Sequence, residues 1–382
     1  MKMYGLPDDP RHGGCKPALS RQIVRYLLMQ GKQRQKAENA DYANYFNALR
    51  FIIGCQFPGH KNIDVSNIVL PIDGNFLNAF VYQKVDGKPR GTILAVHGMS
   101  VMGNRDPRFV NVCKALAHCG YLVVSPLYPE IEECLIKEET VYAISKTIQC
   151  LTENTALCPS GKISIFSASF SAGMSIIAAT QPETSDLVRS ICAIGTYCNV
   201  ETSVDFLLGR QDNDEYGKFI ILRNFIHHSI GPNDDLSEAL RVAILDNGHC
   251  RENPELPALL RTMPDDVQLM FIRLRTDASY RWHHWKMACS PSHGVGDMLK
   301  RLSALSTISS LRAAVALVHG ADDRVIPSSE SVILHRRLRE CNKRSRLSLT
   351  PVISHGDAAI TVSMIPALFN LTGTFAFFFK HV

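Results

Sequence analysis

The chain has 382 residues, of which 46% are hydrophobic and 20% are charged, and its formal net charge is +5. This length allows one large domain with insertions or two domains, and the composition is that of a globular protein with a sizeable core. The small net charge, with both signs interleaved, gives no argument for a nucleic-acid partner. The dense basic run at residues 335–346 is interpreted as the solvated face of a surface helix, with contact to an anionic membrane as the alternative.

Cysteine and histidine usage bears on the compartment and on cofactors. None of the twelve cysteines belongs to a Cys-x-x-Cys pair, and the first residues, MKMYGLPDDPRHGG, contain no apolar stretch typical of a secretion signal. Both observations favour free thiols in a reducing, cytoplasmic compartment. The fourteen histidines include two adjacent pairs but no His-x-x-x-His spacing. We therefore expect neither a metal site nor another cofactor.

The first sixty residues differ from the rest of the chain. Apolar residues recur at helical spacing over 19–32 and 37–53, which predicts two amphipathic helices. We interpret residues 1–60 as a helical appendage that packs on the main domain, with a dimer contact or a lid as alternatives.

After residue 60, short apolar strands alternate with helices as far as residue 199. The strands are predicted at 63–72, 79–83, 92–96, 121–125, 163–166 and 190–194. Almost wholly apolar strands separated by helices are typical of a parallel sheet that is covered on both faces. The sequence therefore predicts an α/β fold.

Residues 200–306 interrupt this alternation with apolar residues at helical spacing, which predicts a helical insertion. Strands and helices return over 307–382. The uncharged stretch 358–379 predicts a buried terminal helix followed by an apolar tail on the core. A weak membrane contact through the tail is the alternative, and it would use the aromatic residues Phe375, Phe377, Phe378 and Phe379.

One strand runs directly into a serine-rich turn. The strand at 163–166 is followed by S-A-S-F-S-A-G and then by a predicted helix. A nucleophile at such a turn needs small residues two positions before and after it, and Ser167 and Ser171 take these places around Ser169. We expect Ser169 to be the nucleophile because the apolar strand ends just before it. Ser171, flanked by Ser169 and Gly173, is the alternative, and a simple serine cap of the helix is the other interpretation.

Two further polar residues follow predicted strands later in the chain. Asp323 lies just beyond the strand that ends in His-Gly, and His355 lies beyond the next strand. The carboxyl ends of parallel strands meet at one edge of a sheet, so Ser169, Asp323 and His355 are expected at the same edge. Their chain order of serine, acid and histidine fits a catalytic triad, with Asp322 as the alternative acid.

The strand at 92–96 ends in His97-Gly98-Met99. Acyl transfer needs two main-chain N–H groups aimed at the developing oxyanion. We expect these to belong to Met99 and to Phe170, while His97 supports the loop.

With these motifs the chain resembles an α/β-hydrolase over residues 61–199 and 307–382. The resemblance implies an eight-stranded, mostly parallel sheet with residues 200–306 as a helical cap over the site. It also implies a serine hydrolase that acts on a small molecule through an acyl-enzyme. The apolar insertion favours a carboxylic ester or thioester with an apolar acyl part, while peptidase activity stays open. One alternative is a non-catalytic binding or scaffold protein, suggested by the serines at positions 167 and 171, where the usual G-x-S-x-G motif has glycine. The other alternative is a lipase or acyltransferase at a membrane surface.

Overall fold

The structure is a computed structural model of the chain. It divides into two compact units, Met1–Ala43 and Asn44–Val382. The predicted helix at 19–32 and the predicted base His355 lie outside the described residues. The structure describes residues 39–57, 59–210, 212–248, 251–351 and 365–382.

A single eight-stranded sheet organises the second unit. From one edge to the other the strand order is β1-β2-β4-β3-β5-β6-β7-β8. The pairs β1–β2 and β2–β4 are antiparallel, and all other pairs are parallel. The predicted eight-stranded, mostly parallel sheet is therefore confirmed. In chain order, β1 to β8 are Ile63–Ile72, Asn75–Lys84, Thr92–Val96, Leu122–Pro126, Ile163–Ala168, Val188–Ile194, Ala314–Gly320 and Ser345–Thr350.

Helices cover both faces of the sheet, which explains why every residue of the central strands β3 and β7 is buried. Successive side chains of a strand point to opposite faces. In β5, Ile165 belongs to the core that includes Ile144 and Ile148 of one covering helix, whereas Phe166 packs against Phe51 on the other face. The described helices outside the β6–β7 connection, numbered in chain order, are α1 (Asn39–Gln56), α2 (Pro107–His118), α3 (Pro129–Glu132), α4 (Glu139–Glu153) and α5 (Phe170–Ala178), and, after β7, α14 (Ser329–Glu340) and α15 (Ile365–His381).

The described part of the connection between β6 and β7 is helical and has an apolar core of its own. Phe219 stacks on Phe271 with ring centroids 5.6 Å apart, and Phe225 meets Trp285 edge-on at 5.7 Å. The fully buried Arg281 donates hydrogen bonds to several main-chain carbonyls. The helices are α6 (Val200–Gly209), α7 (Glu215–Phe225), α8 (His227–Ile230), α9 (Asp234–Asn247), α10 (Leu256–Leu260), α11 (Asp265–Thr276), α12 (Ala278–Ala288) and α13 (Val295–Arg301).

The C-terminal helix α15 packs on the sheet, as the uncharged stretch predicts, but it leaves no separate tail. Phe375, Phe378 and Phe379 are all buried within it. These are three of the four aromatic residues expected in a membrane-contacting tail, so their rings are not exposed for such a contact. Across the described ranges, every helix is too short or too polar to cross a bilayer.

Candidate active site

Ser169 lies at a sharp turn between β5 and α5. Its backbone angles are φ 57° and ψ −137°, close to a region that only glycine adopts readily. The Ser169 N–H donates to the carbonyl of Ile194 in β6 at 2.7 Å, which fixes the turn against the neighbouring strand. Such strain persists only where the surroundings impose it, and it is found mainly at functional positions. The turn presents Ser169 at the carboxyl edge of the sheet.

The two flanking serines occupy quite different positions. Ser167 ends the buried part of β5 and Ser171 lies in the first turn of α5, and both side chains are fully buried. Within the described residues, neither hydroxyl has a hydrogen-bond partner. Ser169 instead lines a cavity, so the geometry favours Ser169 over Ser171 as the nucleophile. The nearby Gly173 serves packing, because a Cβ there would lie 2.4 Å from the ring of Tyr197.

The loop after β3 contacts the turn. A Cβ on Gly98 would lie 3.5 Å from the Ser169 Cβ and from the Ala168 carbonyl oxygen. Met99 and Phe170 line the same cavity as Ser169. Their main-chain N–H groups donate to no acceptor in the described ranges. Both predicted oxyanion donors are thus beside the candidate nucleophile.

His97 supports this loop through both ring nitrogens. Nδ1 lies 3.0 Å from the Gly98 carbonyl oxygen, and Nε2 lies 3.3 Å from the N–H of Tyr128. One nitrogen therefore donates and the other accepts, which only the neutral imidazole can do. Burial lowers the pKa of His97 to about 4, so the ring stays neutral near pH 7.

Asp323 follows β7 at the same edge of the sheet. Its Oδ1 accepts hydrogen bonds from the N–H groups of Val325 at 2.8 Å and Ile326 at 3.0 Å, and its side chain is only 5% exposed. A Cβ on Gly195, just after β6, would lie 3.5 Å from Asp323 Oδ2. The neighbouring Asp322 is exposed, so Asp323 is the better placed carboxylate.

The cavity beside Ser169 has a volume of about 460 Å³, within the range of small-molecule sites. Apolar side chains form most of its wall. They come from α1, α2, α15 and the sheet on one side and from the helical insertion on the other. Ser169, Met99 and Phe170 line the same cavity.

Tyr216, which belongs to α7 in the insertion, is not among the site residues predicted from the sequence. Its hydroxyl donates to the Met99 carbonyl oxygen at 3.2 Å and lies 3.2 Å from Cys134 Sγ. Tyr216 also lines the cavity. No motif marks this residue, because its partner is 117 positions away in the sequence. The contact links the insertion directly to the loop that carries Met99.

Two observations identify the architecture. The sheet has eight strands, most of them parallel, and a strained serine lies between β5 and the following helix. The chain has the α/β-hydrolase fold. No protein-family profile matches the sequence, and no curated protein matches it either.

Solved structures with this fold do match the chain. Pyrococcus horikoshii acylaminoacyl peptidase has 16% sequence identity and a TM-score of 0.48, over 79% of this chain and 39% of that one. The chain thus spans about two fifths of that peptidase. A Pyrobaculum calidifontis esterase has 16% identity and a TM-score of 0.46, over 93% of this chain and 92% of that one. A Klebsiella pneumoniae protein described as a dienelactone hydrolase has 13% identity and a TM-score of 0.43, over 82% and 98%. At these identities the likeness concerns the fold alone.

Proposed function

We propose that this protein is a serine hydrolase that cleaves a carboxylic ester or thioester with an apolar acyl part. The observation that carries the proposal is the strained Ser169 on the wall of an apolar cavity, beside the N–H groups of Met99 and Phe170. A strained, accessible serine next to two main-chain donors is the arrangement that acyl transfer requires.

His355 is proposed as the base from its position in the chain. It follows β8, which runs parallel to β7 with Thr350 paired to Gly320. The Ala321 N–H donates to the Thr350 carbonyl oxygen at 3.0 Å. The segment that carries His355 therefore begins beside the loop that carries Asp323, at the edge of the sheet where Ser169 lies.

The proposed reaction has two steps. His355 takes the proton from Ser169 Oγ as this oxygen attacks the carbonyl carbon, and the Met99 and Phe170 N–H groups bind the oxyanion. The imidazolium returns the proton to the departing alcohol or thiol, leaving an ester on Ser169. Water, deprotonated by His355, then attacks this acyl-enzyme, and the imidazolium returns the proton to the departing Ser169 oxygen, which releases the carboxylic acid and restores the serine hydroxyl. Asp323 holds the imidazole tautomer and stabilises the imidazolium.

The cavity wall supports an uncharged, apolar acyl group. Arg108 lines the cavity, but its guanidinium pairs with Asp106 at 2.7 Å, and Asp106 also accepts from the Ser100 hydroxyl. That cation is therefore already matched by a carboxylate. Residues 200–306 are proposed as a helical cap because apolar side chains such as Val204 and Ile220 reach the cavity from them. Residues 61–199 and 307–382 then form the hydrolase core, with residues 1–60 as its N-terminal appendage.

Labelling with a fluorophosphonate, which reacts with activated serines, tests the proposal. We expect the purified protein to be labelled, and we expect Ser169→Ala and His355→Ala to abolish labelling while Ser171→Ala retains it. Circular dichroism of each variant controls for folding. Labelling that survives in Ser169→Ala would remove this serine from the mechanism. A folded wild-type protein that is not labelled would favour the alternative of a non-catalytic binding protein.

A further inference from the structure

We propose, resting on the hydrolase function above, that the acyl chain of the substrate binds along the sheet face beneath α1 and α15. The site is the part of the cavity lined by Phe51, Ile52, Cys55, Phe166 and Phe375, here named the sheet-face lobe. In this assignment α1 sets the length of acyl chain that the enzyme accepts.

Aromatic rings close the far end of the sheet-face lobe. The ring of Phe51 in α1 lies 5.7 Å from that of Phe166 in β5 and 4.9 Å from that of Phe375 in α15, both edge-on. Phe166 also meets Phe378 edge-on at 6.3 Å. These rings are buried, so they form a fixed wall that stops a chain entering from Ser169.

Cys55 lies one helical turn beyond Phe51 on the same face of α1. Phe166 pairs in register with Cys192 of β6, and the pKa of the Cys192 thiol is raised by burial and further by the nearby Cys55 thiol. Burial also raises the pKa of Cys55 itself, so its thiol is neutral and acts as a small apolar group. A larger side chain at position 55 would fill the lobe near its end.

The depth of the lobe follows from the strand. Phe166 precedes Ser169 by three residues. β5 ends at Ala168, two residues after Phe166. Because a strand rises about 3.3 Å per residue, the Phe166 backbone lies roughly 7 Å below the start of the turn that carries Ser169, a depth that an octyl chain can enter.

The two sides of the cavity differ in polarity. On the insertion side the wall includes hydroxyl, carboxylate and amide groups, which belong to Ser203, Asp214, Tyr216 and Asn247. In the sheet-face lobe the wall is aromatic and aliphatic apart from Gln56 and the Cys55 thiol. An acyl chain therefore gains more from the sheet-face lobe.

The test compares ethyl and octyl fluorophosphonates as probes of Ser169 in the full-length protein. Each methylene that the lobe buries should raise the labelling rate by about fourfold, until the chain reaches the aromatic wall. Cys55→Trp fills the lobe, and Cys55→Leu is a milder variant that is expected to fold more readily. Asn247→Trp is the matched control, because it adds the same side chain to the other side of the same cavity.

We expect all variants to react with the ethyl probe at the wild-type rate. Octyl labelling should slow at least tenfold in Cys55→Trp, by less in Cys55→Leu, and not in Asn247→Trp. Slowing in Asn247→Trp alone would overturn the inference and place the chain on the insertion side. If the wild-type protein reacted with both probes at equal rates, this inference would also be overturned, while the proposed hydrolase function would still stand. Failure of the ethyl probe on the wild type would instead overturn the proposed function, and this inference with it.

Discussion

The strain at Ser169 predicts that a glycine at this position gives a more stable protein than an alanine. At φ 57° and ψ −137° an L-residue costs about 1–3 kcal/mol, whereas glycine adopts these angles freely. Glycine also makes the unfolded chain more flexible, which costs about 0.5–1 kcal/mol. The Ser169→Gly variant should therefore be about 1 kcal/mol more stable than Ser169→Ala.

Position 171 is the control, because it has the same side chain in an ordinary helical conformation. There the helix propensities make glycine about 1 kcal/mol less stable than alanine. Comparing alanine with glycine at each site cancels the loss of the hydroxyl, which matters because the Ser171 hydroxyl is buried without a described partner. The two comparisons should differ by about 2 kcal/mol and have opposite signs.

Equilibrium unfolding in urea measures all four variants, and a change of midpoint at constant slope reports stability directly. Both Ser169 variants are expected to be inactive, so the stability gain is independent of catalysis. If Ser169→Gly is less stable than Ser169→Ala, by the same amount as at position 171, then the turn is not strained and the reasoning is wrong.

Three further changes test the site. Tyr216→Phe removes a hydrogen bond to the loop that carries Met99, a proposed oxyanion donor, so kcat for p-nitrophenyl octanoate should fall about tenfold at unchanged KM. An effect on KM alone would contradict this role. The pKa of His97 is about 4 in the folded protein, compared with an ordinary value of 6.5 in the unfolded chain. The unfolded chain therefore binds the proton first as the pH falls. Between pH 7 and pH 4 the wild type should therefore lose about 3 kcal/mol more unfolding free energy than His97→Gln, as urea titrations at each pH would measure. Gly173→Ala places a Cβ 2.4 Å from the Tyr197 ring and should cost about 1–3 kcal/mol, whereas Gly209→Ala, with open space around its Cβ, should cost less than 0.5 kcal/mol by the same assay.

The sheet could be predicted from the sequence because parallel strands covered on both faces are apolar throughout. β3 and β7 stand out in the sequence for that reason, and their carboxyl ends place Gly98 and Asp323 at one edge. The turn at Ser169 could also be predicted, since it needs a short apolar strand, small flanking residues and a following helix. These signals are local, so a single sequence contains them.

What could not be predicted depends on contacts between distant segments. The membrane-contacting tail was an alternative because the sequence has four phenylalanines near its end, and only packing on the sheet shows that Phe375, Phe378 and Phe379 are buried. The bond from Tyr216 to Met99 joins the insertion to the core without any sequence pattern. The role of His355 stays a prediction from its place after β8.

Four of the five residues that define the sheet-face lobe belong to α1 and α15, whereas Ser169, Met99 and Phe170 belong to segments between these two helices. Under the proposed function, substitutions in α1 or α15 should therefore alter which substrates fit without disturbing Ser169 or its proposed oxyanion donors. Ligand choice and bond cleavage would then be separable properties of this protein. Exchanging α1 or α15 for helices with smaller or larger side chains offers a route to enzymes that differ in substrate length but share the same chemistry.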